Sequence, residues 1–83
     1  MSTAEIILVF ESIHDVLEAE TRLAGSEIPF DLIPTPTQIS TDCGMVLLCR
    51  EEDLVKVRNL LCQPGPEPTG LYRRTGSDVE EHE

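Results

Sequence analysis

The sequence contains few basic residues. Six lysine and arginine residues stand against 16 aspartate and glutamate residues, which gives a formal net charge of −10 at neutral pH. A chain this acidic repels the phosphate backbone of nucleic acids and the headgroups of anionic lipids. We therefore exclude nucleic acid as a partner.

Long apolar segments are missing as well. The apolar run over residues 6–10 is far too short to span a bilayer, so we expect no membrane insertion. A chain of 83 residues suits one small domain with a modest core.

Paired cysteines are the third absence. Cys43, Cys49 and Cys62 are odd in number and irregular in spacing. This pattern fits neither a secreted disulfide framework nor a Cys-x-x-Cys zinc site. We predict reduced thiols in a cytoplasmic protein that needs no metal and no cofactor.

Four segments have the composition of β-strands. The continuous apolar runs over residues 6–10 and 45–49 are typical of strands that are covered on both faces. Residues 30–33 form a shorter strand that Pro34 ends, and residues 69–74 predict a short strand at an edge.

Two helices are predicted, one after the first strand and one after the third. Ser12 is a typical N-cap for a first helix that ends near Gly25. The acidic residues 51–53 favour the start of a second helix, which Pro64 and Gly65 end.

The element order β-α-β-β-α-β predicts an α+β domain. Its expected form is the ferredoxin-like split βαβ sandwich, with two helices on one face of an antiparallel sheet. This single domain covers residues 1–74, and the acidic residues 75–83 predict a disordered tail.

The second face of such a sheet would lack helices. The strands at residues 6–10 and 45–49 are nevertheless apolar at odd and even positions alike. An open apolar face of this kind favours association with further copies of the chain, so we predict a homo-oligomer.

The connection over residues 34–44 is the most informative loop. It is longer than a hairpin turn requires, and it contains two prolines and the pair Cys43-Gly44. Gly44 permits a positive φ or a close backbone approach, which would direct N–H groups at a thiolate. In the other interpretation, Cys43 is a small apolar side chain packed beside a strand.

The remaining cysteines indicate packing. Cys49 alternates with Met45 and Leu47 and is predicted to lie in the core. Cys62 falls at the flank of the second helix, where a partly exposed packing role is expected.

The loop also resembles a known family. Pro34 and Pro36, the pair Ile39-Ser40 and the pair Cys43-Gly44 before an apolar strand are similar to the signature of the small selenium/sulfur carrier-like proteins. The resemblance extends over about residues 5–62.

This resemblance implies that Cys43 carries sulfur or selenium as a persulfide-type adduct for a partner. The partner would be a cysteine desulfurase or another enzyme of selenium and sulfur metabolism, and the protein would be a carrier rather than a stand-alone enzyme. The alternative is a ferredoxin-like interaction or ligand-sensing module that oligomerises through its open sheet face, and in which Cys43 is incidental.

Two more residues complete the predicted site. No basic residue lies between Leu23 and Cys49, so a charge near Cys43 would have to come from a residue more distant in the sequence. If each helix returns along the strand before it, Cys62 approaches the end of the domain that holds Cys43. Arg22 then returns to the start of the first strand, which is expected to neighbour the third strand, and so approaches that end also. Arg22 is then a candidate charge partner, and Cys62 a candidate resolving thiol.

Overall fold

The computed structural model describes residues 4–39, 44–61, 65–76 and 78–81. These residues form a five-stranded antiparallel sheet and two α-helices. Along the chain the elements are β1 (Glu5–Val9), α1 (Ile13–Ala24), β2 (Phe30–Pro34), β3 (Met45–Arg50), a 3-10 turn (Glu51–Asp53), α2 (Leu54–Leu61), β4 (Gly70–Thr75) and β5 (Asp78–Glu81).

The strands lie in the order β2-β3-β1-β4-β5. The central strand β1 pairs with β3 and with β4, so that Glu5 lies between Arg50 and Arg74. This register defines two ends of the sheet. The charged end contains Glu5 and Arg50, and the loop end contains Val9 and Met45.

The local sequence explains how the helices begin and end. Ser12 caps α1, because its hydroxyl accepts a hydrogen bond from the Asp15 N–H at 3.3 Å. The turn before α2 is fixed by Arg50, whose Nε donates to Oδ2 of the buried Asp53 at 2.8 Å.

Both helices cover the same face of the sheet, which we call the helix face. Ile6, Leu8 and Leu47 of the strands pack there against Val16 of α1 and Val57 of α2. All of these side chains are inaccessible to solvent, so the helix face forms the larger core.

The opposite face, which we call the loop face, is not open as the sequence predicted. Ile7, Val9, Val46 and Leu48 form a second buried cluster there. Ile39, from the connection between β2 and β3, belongs to this cluster. The open apolar face that motivated the prediction of a homo-oligomer is therefore covered within one chain.

The acidic C-terminal segment also differs from the expected tail. Thr75 pairs with Asp78, and Gly76 adopts a positive φ of 62° in the turn that joins β4 to β5. Val79 packs against the loop face, and Glu80 lies opposite Arg73. An opposite charge across the strands and one apolar contact thus favour a strand over disorder.

Candidate functional site

The connection between β2 and β3 is the candidate site. Its two ends are joined, because the Thr35 N–H donates to the Gly44 carbonyl at 3.1 Å. Inside it, the Ile39 N–H donates to the Pro36 carbonyl at 3.0 Å and closes a turn. The loop is therefore fixed at Thr35 and again at Ile39.

Ile39 anchors the loop to the sheet. Its side chain is only 5% exposed and packs in the loop-face cluster with Ile7, Val9 and Leu48. Sequence analysis gave this residue no structural role. The available signal was a single large apolar side chain within a polar segment, which is the pattern of a loop that folds back over apolar surface.

Cys43 and Ser40 lie outside the described residues, between Ile39 and Gly44 in the sequence. Gly44 is exposed, and a Cβ built on it meets no heavy atom within 4 Å. The approach of the Gly44 backbone to the Cys43 thiolate stays a prediction, because Cys43 lies outside the described residues.

The basic side chains of the sheet are grouped at the charged end. Arg74 Nη2 lies 2.7 Å from Glu5 Oε1, and Arg73 Nε lies 2.9 Å from Glu51 Oε2. Arg50 is paired with Asp53. In the part of the chain that the structure describes, the strand arginines are thus paired with carboxylates at the end of the sheet opposite Gly44.

The described contacts of Arg22 are with Glu18 of α1 and with the end of α2. Its Nη2 lies 3.1 Å from Glu18 Oε2, and its Nη1 donates to the Leu60 carbonyl at 3.4 Å. A Cβ at Gly65 would lie 2.6 Å from Arg22 Cζ and 2.6 Å from the Leu61 carbonyl oxygen, so this position requires glycine. Arg22 therefore interacts with the last turn of α2.

The argument that brought Arg22 toward Cys43 contained one step that the strand pairing corrects, and the position of Arg22 relative to Cys43 stays a prediction. That step assumed that the start of the first strand neighbours the start of the third. Because β1 and β3 are antiparallel, Glu5 at the start of β1 pairs instead with Arg50 at the end of β3. The Arg22 side chain nevertheless reaches the carbonyl of Leu60, two residues before Cys62 in the sequence.

Cys49 lies in the core, as predicted from the alternation along β3. It is 3% exposed on the helix face. Burial, with a smaller contribution from the nearby charge of Asp53, raises the pKa of its thiol to about 12. Cys49 is consequently protonated near neutral pH and is a poor nucleophile.

Cys62, the proposed resolving thiol, also lies outside the described residues, and a Cys43–Cys62 disulfide stays a prediction. Within the ranges that the structure describes, there is no group of three His, Cys, Asp or Glu side chains suited to hold a metal ion. The same ranges contain no helix with the length and hydropathy needed to cross a membrane.

Comparison with known proteins identifies a family. Neither a curated protein nor a solved structure matches the chain. The model of the family described as "Putative Se/S carrier protein-like" matches residues 5–73, a segment that runs from the first residue of β1 into β4 and includes the whole loop. The chain therefore belongs to this Se/S carrier protein-like family.

Proposed function

We propose that the protein carries sulfur or selenium on Cys43 for a partner enzyme. The observation that carries this proposal is the family match over residues 5–73, which includes the loop and its cysteine. The donor is a cysteine desulfurase or another enzyme that forms a persulfide. The chain itself acts as a carrier and leaves the bond-breaking chemistry of the donor amino acid to that enzyme.

The transfer step is an exchange between a thiolate and a persulfide. The Cys43 thiolate attacks the terminal sulfur of the donor persulfide, a new S–S bond forms, and the S–S bond of the donor breaks. The donor cysteine leaves as a thiolate, and Cys43 becomes a persulfide. The sulfur atom and its electrons are conserved, so the step needs no added oxidant.

Two structural features support Cys43 as the acceptor. Cys49 is unsuited to the task, because its thiol is buried and its pKa is raised. The segment around Cys43 is flanked by Ile39, which is anchored on the loop face, and by Gly44, which is bonded to Thr35. Gly44 is exposed, which supports the access of a donor to the residue that precedes it in the sequence.

In this proposal the Gly44 backbone and the Ser40 hydroxyl stabilise the anionic adduct. The described strand arginines are paired at the far end of the sheet, so we assign this work to neutral hydrogen-bond donors close in sequence.

We also propose a ferredoxin-like split βαβ arrangement for the first four strands. The strand order β2-β3-β1-β4, with both helices on one face, supports it, and β5 is then an addition at the edge. The cysteine pattern supports a cytoplasmic location, where thiols stay reduced.

Persulfide transfer tests the proposal. The full chain is incubated with a cysteine desulfurase and cysteine, and its intact mass is measured before and after treatment with a reductant. We expect a gain of one sulfur atom that the reductant removes. Selenocysteine in place of cysteine tests the selenium arm in the same way.

Matched cysteine variants locate the adduct. Cys43→Ser should abolish the mass gain, whereas Cys62→Ser should retain it. A wild-type protein that gains no sulfur, or a Cys43→Ser variant that still gains one, contradicts the proposal.

The alternative role as an interaction module makes a different prediction for the thiol. If Cys43 is incidental, its alkylation at neutral pH is no faster than that of a free cysteine. The loop-face cluster does not favour this alternative in its original form, because the apolar surface that it invoked is buried.

A further inference from the structure

The two edges of the sheet differ in how they are protected. The edge strand β5 carries Asp78, Glu80 and Glu81, all exposed, and such a row of charges discourages the pairing of another strand. The opposite edge strand, β2, has a single charge, Asp31, and ends at Pro34. Edge β2 therefore has less protection against strand addition.

The hydrogen-bond pattern shows which backbone groups of β2 are available. Thr35 bonds to Gly44, so the pairs Ile33↔Val46 and Asp31↔Leu48 are also the hydrogen-bonded pairs with β3. The N–H and C=O groups of Phe30 and Leu32 therefore point away from β3, toward the open edge. No residue that the structure describes bonds to these groups. Unbonded donors and acceptors at alternate positions are the template that an added strand uses.

Apolar side chains flank this edge. Phe30 and Leu32 are half-buried against the helix-face core. On α1, the side chains of Ile13 and Leu17 are 47% and 49% exposed. They lie on the side of α1 that faces away from α2, because Arg22, on the other side of the helix, contacts α2. If a further strand paired with β2, every second side chain of that strand would lie beside Leu32 and beside the exposed side chains of α1.

The charges around the edge are negative. A cleft of about 230 Å³ opens at the start of β2, where it is lined by Glu5, Phe30, Asp31, Cys49 and Arg50 among others. In this cleft Glu5 is paired with Arg74, and Arg50 is paired with Asp53. Asp31 forms no ion pair with any residue that the structure describes, which leaves an exposed carboxylate to receive a cation.

We propose that edge β2 is a docking site for an extended, basic segment of a partner protein. The segment adds to the sheet as a further strand through the backbones of Phe30 and Leu32, and a lysine or arginine lies against Asp31. A second copy of this chain fits the edge less well, because it also carries a net charge of −10 and would set Asp31 against an equally acidic edge. The proposal goes beyond the carrier function and does not depend on Cys43.

A peptide of six residues, with alternating valine and lysine and blocked ends, serves as the probe. It is titrated into the full chain labelled with nitrogen-15, and amide shifts and hydrogen exchange are measured residue by residue. We expect downfield shifts and slower exchange at Phe30 and Leu32. The amides of Asp31 and Ile33, which already bond to β3, serve as internal controls and should change little.

Matched controls separate strand addition from general charge attraction. A peptide of alternating valine and glutamate should not bind. Asp31→Lys should weaken binding of the basic peptide by about 5-fold or more, and Asp31→Asn should have an intermediate effect. Glu27→Lys removes an exposed charge of the same sign that precedes β2, and it should have the smaller effect.

Four outcomes would overturn the proposal. In the first, the Phe30 and Leu32 amides do not respond at saturating peptide. In the second, Asp31→Lys binds the basic peptide as well as wild type does. In the third, the β5 amides respond as strongly as those of β2. In the fourth, Phe30 and Leu32 become protected without peptide as protein concentration rises, which would assign the edge to a second copy of the chain.

Discussion

The two faces of the sheet are covered by different kinds of structure. On the helix face, Leu47 and its neighbours are packed beneath two regular helices. On the loop face, Leu48 and its neighbours pack with Ile39, which extends from an irregular connection. Burial is nearly equal, with Leu47 at 0% and Leu48 at 5% exposure, although the covers differ in their internal hydrogen bonding.

This difference indicates that the two faces have different roles. A helix supplies its own backbone hydrogen bonds and holds its apolar side chains rigidly. A loop held at a few points is less stable locally, and regions of low local stability are where binding sites are usually found. The helix face thus stabilises the domain, while the cover of the loop face leads directly into the segment with Cys43.

The largest expected effect comes from truncation of neighbouring leucines on β3. Leu47→Ala should lower the free energy of unfolding by about 3 to 4 kcal/mol, because the helices cannot collapse into the cavity. Leu48→Ala should cost about 2 kcal/mol, since a loop relaxes more easily than a packed helix. Urea denaturation followed by circular dichroism measures both values.

The pair is well matched, because the two leucines are adjacent on one strand and lose the same atoms. The denaturant slope should stay the same for both variants. An equal or larger loss for Leu48→Ala would mean that the loop is as rigid a cover as the helices.

The next effect concerns the loop anchor. Ile39→Ala should cost about 2 kcal/mol, at the low end of the range for buried isoleucine. It should also speed hydrogen exchange at the Thr35 amide, which bonds to Gly44. If the carrier proposal is right, the alkylation rate of Cys43 moves toward that of a free thiol.

A substitution on the helix side is the control for this prediction. Ile13→Ala removes the same atoms from a side chain that is 47% exposed, so its effect should stay within about 0.5 kcal/mol. If Ile39→Ala were equally mild, Ile39 would not anchor the loop.

The smallest expected effect is a dependence of the free energy of unfolding on pH, caused by Cys49 on the helix face. The pKa of Cys49 is raised to about 12 in the folded chain from an ordinary value of 9.0, so the unfolded chain loses the thiol proton first. The stabilising contribution is complete below pH 9 and is lost as the pH rises toward 12. At a pH about one unit above the ordinary pKa of the thiol, the free energy of unfolding is lower by about 1 kcal/mol.

Other groups titrate in the same range, so the quantity to measure is a difference. The free energy of unfolding of wild type, minus that of Cys49→Ala, is followed by urea denaturation from neutral to alkaline pH. We expect this difference to shrink as pH rises. A constant difference would show that Cys49 ionises as readily in the folded chain as in the unfolded one.

Local sequence was enough to predict the elements that are strongly patterned. The apolar runs at residues 6–10 and 45–49 correspond to β1 and β3, and Ser12 caps α1. β5 was missed because one apolar residue, Val79, gives no periodic signal. Its formation depends on the turn at Gly76 and on the strand opposite it.

The candidate site was predicted less completely than the fold. The loop and Cys43 stand out by composition, and the family match includes both. One step of the argument for Arg22 failed because a helix pattern does not show which strand end lies beside it, and this depends on pairing between distant segments. The role of Ile39 was missed for a similar reason, since its partners, Ile7 and Val46, are remote in sequence.

The sequence by itself determined what depends on neighbouring residues: the acidic charge, the strands and helices, the core position of Cys49 and the unusual loop. Only the tertiary structure decided what depends on distant ones. It covered the second sheet face with Ile39, grouped the arginines of the strands at the end away from Gly44, and left the backbone of Leu32 at an open edge. The physical reason is that strand pairing and burial join residues far apart along the chain, whereas hydrophobic periodicity and capping act within a few residues.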